Sequence, residues 1–310
     1  MEEWLEEYQQ LMFHSGNTIE AMAKASVMKF EHMPDRLYKY RMFCPNHIKA
    51  LNEGVLYSAS MDSLNDIKEL NIVITEKAKE TLQQRTYDDI REQHGFPVAE
   101  VKTPSEFLRI IDAYYKSIAN TYGRSRALSE EAISSMIHEM EEAYERQIQT
   151  IIEADRKMYS ICSLSATNAS NRMWGYYADS HQGFCIEYDF KSLGIDNLKT
   201  AFLFPVVYED DSRVFVDDID HIDGNIGMIA ATRKETKWAY EQEWRLLFPG
   251  KVGGRPQPMP KPTAIYIGER TNEANTKIML EFCKAEMIPL YRMKYYQHED
   301  LMKSQIVQFS

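Results

Sequence analysis

The feature that most restricts the fold of this chain is a change of texture at Tyr159. From Thr75 to Met158 the periodicity is almost wholly that of helices, whereas the segments on either side alternate like strands. A long helical block between strand-forming segments selects an α+β architecture. We expect a mixed or mostly antiparallel β-core, built from the start and end of the chain, with a large helical insertion and N-terminal helices. The expected division is 1–34 for the N-terminal helices, 35–74 for the first part of the β-core, 75–158 for the helical insertion and 159–310 for the main part of the core.

The helix signals are explicit. Residues 2–15 and 18–30 read as two helices parted at Gly16 and Asn17, with Thr18 as N-cap and Glu20 in the first turn. Asn46 is expected to cap a short helix closed by Gly54. Thr75 caps a segment ending at Gly95. Thr103, Pro104 and Glu106 give capping-box spacing with proline at the first helical position, and Gly123 closes that helix. Ser129 opens a third helix running to Asp155. In the middle helix Phe107, Ile110, Ile111 and Tyr114 share one face. Candidate strands are 37–41, 55–58, 159–165, 183–190, 204–208, 244–248, 264–268 and 290–295. Helices at 225–235 and 272–286 interrupt them, and 250–262, rich in glycine and proline, reads as a surface loop.

Composition excludes some function classes. With 310 residues, 44% of them hydrophobic, the chain can bury a sizeable core. Its formal charge of −11, from 47 acidic and 36 basic residues, opposes a general nucleic-acid or anionic-membrane surface. The four cysteines form no CxxC pair, which favours neither a zinc site nor a disulfide framework. The N-terminus MEEWLEEYQQ is acidic and amphipathic, and no run approaches the length of a membrane span; a cytoplasmic protein without membrane partners is expected.

Chemistry-bearing residues crowd most closely between Ser160 and Asp189. Here 167–182 reads as a loop with a short helical turn that builds a pocket wall. Trp174, Tyr176 and Tyr177 either pack the core or wall a pocket for a planar ring. His181 either closes the turn before Gly183 or binds a phosphate or relays a proton. Asp179, His181 and Glu187 match no metal-ligand spacing, and no metal is expected. Ser163 and Ser165 share a strand face. In 240–248 the period of two puts Glu241, Glu243 and Arg245 on one side and Trp244, Leu246 and Phe248 on the other. The charged side is either a solvated face with an ion pair or a cleft wall, where Glu243 binds a sugar hydroxyl or supports a cationic transition state. Arg41 is either an ion-paired arginine or a phosphate clamp, for which the guanidinium fork is suited. No Walker loop, GxGxxG or GxSxG motif is present, against a P-loop, Rossmann or serine-hydrolase enzyme.

LYKYR at 37–41, LNDI at 64–67, MWGYYADSHQGFCIEYD at 173–189, WAYEQEWRLLF at 238–248 and IYIG at 265–268 resemble, in this order, the bacterial family called domain of unknown function 2971. A second resemblance is to mono-ADP-ribosyltransferases, through an arginine on an early strand, a Ser-x-Ser strand and Glu-x-Glu opening a late strand. It implies an NAD-consuming transferase or NAD glycohydrolase with NAD as substrate. Arg41 would then grip the phosphates, Ser163 support the nicotinamide ribose, and Trp174 or Tyr177 stack on nicotinamide. Glu243 would bind the ribose 2′-hydroxyl and Glu241 would orient an acceptor, protein or nucleic acid. Many bacterial enzymes of that kind are toxins or phage-defence effectors, which brings in an inhibitor protein or a homo-oligomer as partner. The competing expectations are a non-enzymatic ligand- or protein-binding sensor module, and a metal-dependent nuclease, which needs at least two carboxylates converging on a divalent ion.

Overall fold

The computed structural model describes residues 3–14, 18–60, 64, 69–94, 103–121, 129–217, 225–250 and 255–307. The expected breaks at Gly16, Asn17, Gly95 and Gly123, and residues 65–67 of the LNDI block, lie outside them. Helix α1 (Glu3–Gln9) continues as a π-helical turn (Gln10–His14), and α2 (Ile19–His32) follows. Thr18 Oγ1 accepts from the Ala21 amide at 3.2 Å, the cap its sequence position calls for. Strand β1 (Leu37–Arg41) leads into α3 (Pro45–Asn52). Cys44, not Asn46, holds the N-cap position of α3, because Pro45 needs no amide partner and takes the first turn itself.

Three short strands follow, β2 (Val55–Tyr57), β3 (Ala59–Ser60) and β4 (Ile72–Ile74). Then come α4 (Glu76–His94), α5 (Pro104–Thr121) and α6 (Glu130–Arg156). The hydroxyls of Thr75, Thr103 and Ser129 accept from the amides of Ala78, Glu106 and Ala132, so all three expected caps form. Next are β5 (Tyr159–Ser165), α7 (Asn171–Tyr177), β6 (Phe184–Tyr188) and α8 (Leu198–Ala201). The expected strand 204–208 is two strands, β7 (Leu203–Pro205) and β8 (Val207–Glu209). They separate because Pro205 brings no amide, and the Val206 amide turns to the Glu243 carbonyl at 3.0 Å.

After β9 (Val214–Val216), α9 (Asn225–Ala231) stops short of the expected end. Thr232 Oγ1 bonds back to the Met228 and Ile229 carbonyls, and the chain extends as β10 (Arg233–Glu235), parallel to β8. A 3₁₀ turn (Thr236–Glu241) precedes β11 (Glu243–Pro249). Within the expected loop 250–262, β12 (Pro256–Pro258) pairs with β2 in a two-stranded ribbon, whose edges tolerate proline. The chain ends with β13 (Ala264–Ile267), α10 (Glu273–Glu286), β14 (Leu290–Tyr296) and β15 (Leu301–Ile306).

The chain divides into two compact units, one of Met1–Asn71, Lys157–Arg213 and Gly227–Ser310, the other of Ile72–Arg156 and Val214–Ile226. The smaller unit holds α4, α5 and α6 and the parallel pair β4 and β9. Tyr87 stacks on Phe107 with ring centroids 4.4 Å apart, and Ile110 and Ile111 pack against them. The larger unit holds the main sheet, in the order β15-β14-β13-β6-β1-β5-β11-β7 with β3 also on β5. Its pairs are antiparallel except β13 with β14, so the α+β class and the mostly antiparallel core are borne out. The sheet is covered on both faces. Leu37, Phe184, Ile186, Leu246 and Ile265 pack with Met279 and Cys283 of α10, while Tyr40, Cys185 and Tyr266 pack with Trp174 of α7. Among the described residues no helix is long and apolar enough to cross a membrane.

The chain leaves α7 through a knot. Asp179, Ser180 and His181 have φ of 47°, 51° and 68°, a left-handed run that costs about 1–2 kcal/mol per residue. It is held by His181 N to Trp174 O at 3.1 Å and Arg270 N to His181 O at 3.0 Å. Two glycines make room for it. A Cβ on Gly183 would sit 2.2 Å from the Arg41 carbonyl oxygen, and one on Gly268 would sit 2.0 Å from that of His181, whereas Gly175 in α7 meets nothing within 4 Å. Gly268→Ala should therefore lower stability by about 1–3 kcal/mol in urea unfolding. Gly175→Ala should be neutral or stabilise by up to about 1 kcal/mol. Equal effects from the two would contradict this packing.

Candidate functional site

The site lies where the sheet forks. Strand β1 pairs with β6 along its whole length but meets β5 at one register position, Tyr38 with Ser165. Near the other end of β5, Ile161 and Ser160 pair with β3. Between these contacts β1 and β5 diverge, and Lys39 Nζ reaches across to donate to the Ser163 carbonyl at 2.5 Å. A cavity of about 230 Å³ opens at this fork. Lys39 and Arg41 of β1 and Ser163 and Ser165 of β5 line it, together with Tyr177, Lys234, Glu241, Glu243, Arg245 and Glu69.

Much of the wall is a closed ion network. The left-handed Gln242, with φ 44°, turns the chain between the 3₁₀ segment and β11. Glu241 and Glu243 thereby both reach the Lys234 ammonium, at 2.6 and 3.0 Å, and Glu69 approaches it at 3.2 Å. The Arg245 guanidinium takes both Glu243 oxygens at 2.9 Å, a Glu69 oxygen at 2.7 Å and the Ala231 carbonyl at 2.7 Å. Tyr177 Oη donates to Glu241 at 2.8 Å, and the Glu243 amide donates to Tyr208 Oη at 2.8 Å. Burial alone would raise the Glu243 pKa, but Arg245, Lys234 and a hydrogen bond from the Ser163 hydroxyl hold it down at about 2. For Glu241 burial wins, and its pKa is raised in spite of Lys234.

Of the two readings of 241–245, the solvated face is overturned and the cleft wall kept, with its charges ion-paired: the side chains of Glu241, Glu243 and Arg245 are 4%, 5% and 1% exposed, and Glu241 lies in the 3₁₀ turn, not on the strand. The pairing geometry also counts against a role expected of Glu243. Arg245 Nε and Nη2 and Lys234 Nζ supply three donors and the nearby Ser163 side chain also favours the ionised form, so most of the roughly four acceptor sites of the carboxylate are taken before a ribose 2′-hydroxyl arrives.

Of the residues singled out in the sequence, the fork brings together Arg41, Ser163, Tyr177, Glu241 and Glu243. Trp174 and His181 do not line it. Trp174 is fully buried, packs edge-on against Tyr40 at 5.3 Å and donates its indole N–H to the Asn168 carbonyl, so it cannot stack on a ligand in this cavity. The periodicity of α7 turns Trp174 inward and leaves Tyr176 74% exposed. His181 serves the knot through its backbone, while burial and then nearby Arg270 lower its pKa. The carboxylates that a metal-dependent nuclease needs converge on an ammonium instead. Among the described residues no group of three His, Cys, Asp or Glu side chains could hold a metal ion.

Sequence reasoning missed Lys39, Lys234 and Glu69. Lys39 alternates with Arg41 in LYKYR, a signal that was there to read; Lys234 was hidden inside a segment read as helix. The cation count matters. All three glutamates of the wall are tied to Lys234 and Arg245, which leaves Lys39 and Arg41 on β1. Among the described residues Arg41 has no carboxylate within ion-pair distance, and the one hydrogen bond of the Lys39 ammonium is to a carbonyl. Burial, then repulsion from Arg41, pushes the Lys39 pKa down to about 8.

Fold and site together define an α+β protein with a cation-bearing cleft at a fork in its sheet. Residues 173–246 match the family model described as a protein of unknown function (DUF2971), which bears out the first resemblance over that segment. The match takes in Tyr177, Lys234, Glu241, Glu243 and Arg245. No curated protein and no solved structure matches the chain.

The network makes a pH prediction. The Glu243 carboxyl ionises at about 2 in the folded protein against an ordinary 4.5. Its stabilisation, about 3 kcal/mol, is complete above pH 4.5 and is lost as pH falls toward 2. Glu243→Gln should lower stability at neutral pH by about 3–5 kcal/mol. Urea midpoints followed from pH 6 down should also show a shallower acid limb for the variant. Parallel profiles for variant and wild type would contradict the assignment.

Proposed function

We propose that the fork cavity is the site of an NAD-consuming enzyme, an ADP-ribosyltransferase or NAD glycohydrolase. The observation that carries this reading is the pair Lys39 and Arg41 on β1: among the described residues neither has a carboxylate within ion-pair distance, and they line a cavity whose three carboxylates and two other cations carry only one net negative charge, which leaves the lining net positive. A partly buried guanidinium without a counter-charge is unfavourable, and an anionic ligand relieves it. A phosphate suits it best, because the planar fork of arginine bonds two phosphate oxygens at once.

The reaction divides among the lining residues as follows. Arg41 and Lys39 hold the phosphates and so place the ribose beside Glu241. When the glycosidic bond breaks, nicotinamide leaves as a neutral molecule with the bonding electron pair, and the positive charge passes to the ribosyl group. Glu241, whose two oxygens accept from Tyr177 and Lys234, retains acceptor capacity and supplies negative charge for that cation. Water or an acceptor hydroxyl then adds to the sugar and gives up a proton, which a carboxyl of raised pKa is suited to take. Ser163 and Glu243 act one step back: Ser163 fixes Lys39 through its carbonyl and Glu243 through its hydroxyl, and Glu243 holds Lys234 against Glu241. Tyr177 takes over as the aromatic wall. Loss of NAD is the chemistry of a toxin or phage-defence effector acting in the cytoplasm, with an inhibitor protein to restrain it.

One observation favours the second reading, a binding module without turnover. Every carboxylate of the cavity is already paired with a protein cation. Incubation with NAD and cell extract separates the two. The enzyme reading predicts release of free nicotinamide, reduced about 100-fold or more by Arg41→Ala and by Glu241→Gln in variants whose circular dichroism matches wild type. Stoichiometric binding of ADP-ribose without release would establish the binding module. Neither binding nor release would remove the nucleotide reading altogether.

A further inference from the structure

A second cavity, of about 380 Å³, lies beside the first and shares Arg41 with it. Its other walls are Asn46, His47 and Lys49 of α3, Leu56 and Tyr57 of β2, and Ile186 of β6. The sequence puts it there. Only three residues join β1 to α3, so the first turn of the helix lies next to the end of the strand that carries Arg41.

The polar groups of this second cavity have a definite chemistry. His47 Nδ1 contacts the Met42 carbonyl at 2.9 Å. A carbonyl only accepts, so Nδ1 carries the proton and Nε2 of the neutral ring is an acceptor. Burial lowers the His47 pKa and so favours that neutral form. Asn46 adds an amide with both donor and acceptor, and Tyr57, 45% exposed, offers a ring face. A stacking face beside paired donors and acceptors suits a nucleobase.

Size argues the same way. The first cavity, at about 230 Å³, falls below the roughly 300–1,000 Å³ of sites that enclose a drug-sized ligand, and only with the second does the space lie well within that range. We propose that the two cavities hold the two nucleosides of one pyrophosphate-linked dinucleotide, with the diphosphate at Arg41 and Lys39 and the second base between α3 and β2. This rests on the reading of the first cavity as a nucleotide site. It adds the place of the second nucleoside and the residues that distinguish a dinucleotide from a mononucleotide.

Calorimetry on the full chain tests it, with carba-NAD and carba-NMN as probes, in which a methylene replaces the ribose ring oxygen and the glycosidic bond is inert. Wild type should bind carba-NAD at least about tenfold more tightly than carba-NMN. His47→Ala and Tyr57→Ala should each weaken carba-NAD about tenfold and carba-NMN less than about twofold. Equal affinity of wild type for the two probes, or equal weakening of both by these variants, would overturn the second base site while leaving the first cavity a nucleotide site. Failure of both probes to bind wild type would overturn the two readings together.

Discussion

Five charged side chains around the start of β11, three carboxylates and two cations, pair with one another, and the character of the site follows from that pairing and from the one negative charge it leaves over. Glu69, Lys234, Glu241, Glu243 and Arg245 lie within 3.2 Å contacts of each other in a space that water barely enters. Burying one such charge alone would cost several kcal/mol, so the group stands or falls as a set. Because all three carboxylates are engaged there, none is left for the cations of the neighbouring strand. Among the described residues neither Lys39 nor Arg41, which line the same hollow, has a carboxylate within ion-pair distance, and the network's one net negative charge offsets only part of their two positive charges, so an anion becomes the natural complement.

Topology places the two sets opposite each other. A continuous ladder between β1 and β5 would have closed the sheet here. The register instead ends at Tyr38 and Ser165, and β3 takes over farther along β5. In the opening, a lysine side chain serves the Ser163 carbonyl that a strand would otherwise have paired. The same divergence brings Arg41 to the junction of two cavities. The proposed chemistry thus sits in the middle of the sheet, on backbone that is rigidly paired on its far sides by β6 and β11.

Much of this could be read from the residues. The strand 159–165, the three hydroxyl caps of α4, α5 and α6, and the strand carrying Arg41 fall where alternation and capping chemistry put them. What escaped was non-local. Nothing local says that Arg233, Lys234 and Glu235 leave a helix to pair with β8, since three charged residues carry no strand signature and only the partner strand makes one. For the same reason Lys234, the hub of the network, was invisible. Trp174 shows the complementary limit: an aromatic in a polar loop satisfies both a core and a pocket reading, and the inward turn of α7 decides for the core. Alternation groups Glu243 with Arg245, but Glu241 joins them from the 3₁₀ turn through the left-handed Gln242, and nothing in the pattern says that the shared side is buried.

The central claim, that β1 carries a cation pair awaiting an anion, is tested most directly by titrating the Lys39 ammonium. NMR of ¹³C-labelled lysine, with Lys39→Arg to assign the signal, reads its pKa in the folded protein. The account predicts about 8 without a polyvalent anion, rising to about 9 or higher when inorganic pyrophosphate is added. A Lys39 that titrates near 10.5 and ignores pyrophosphate would contradict it.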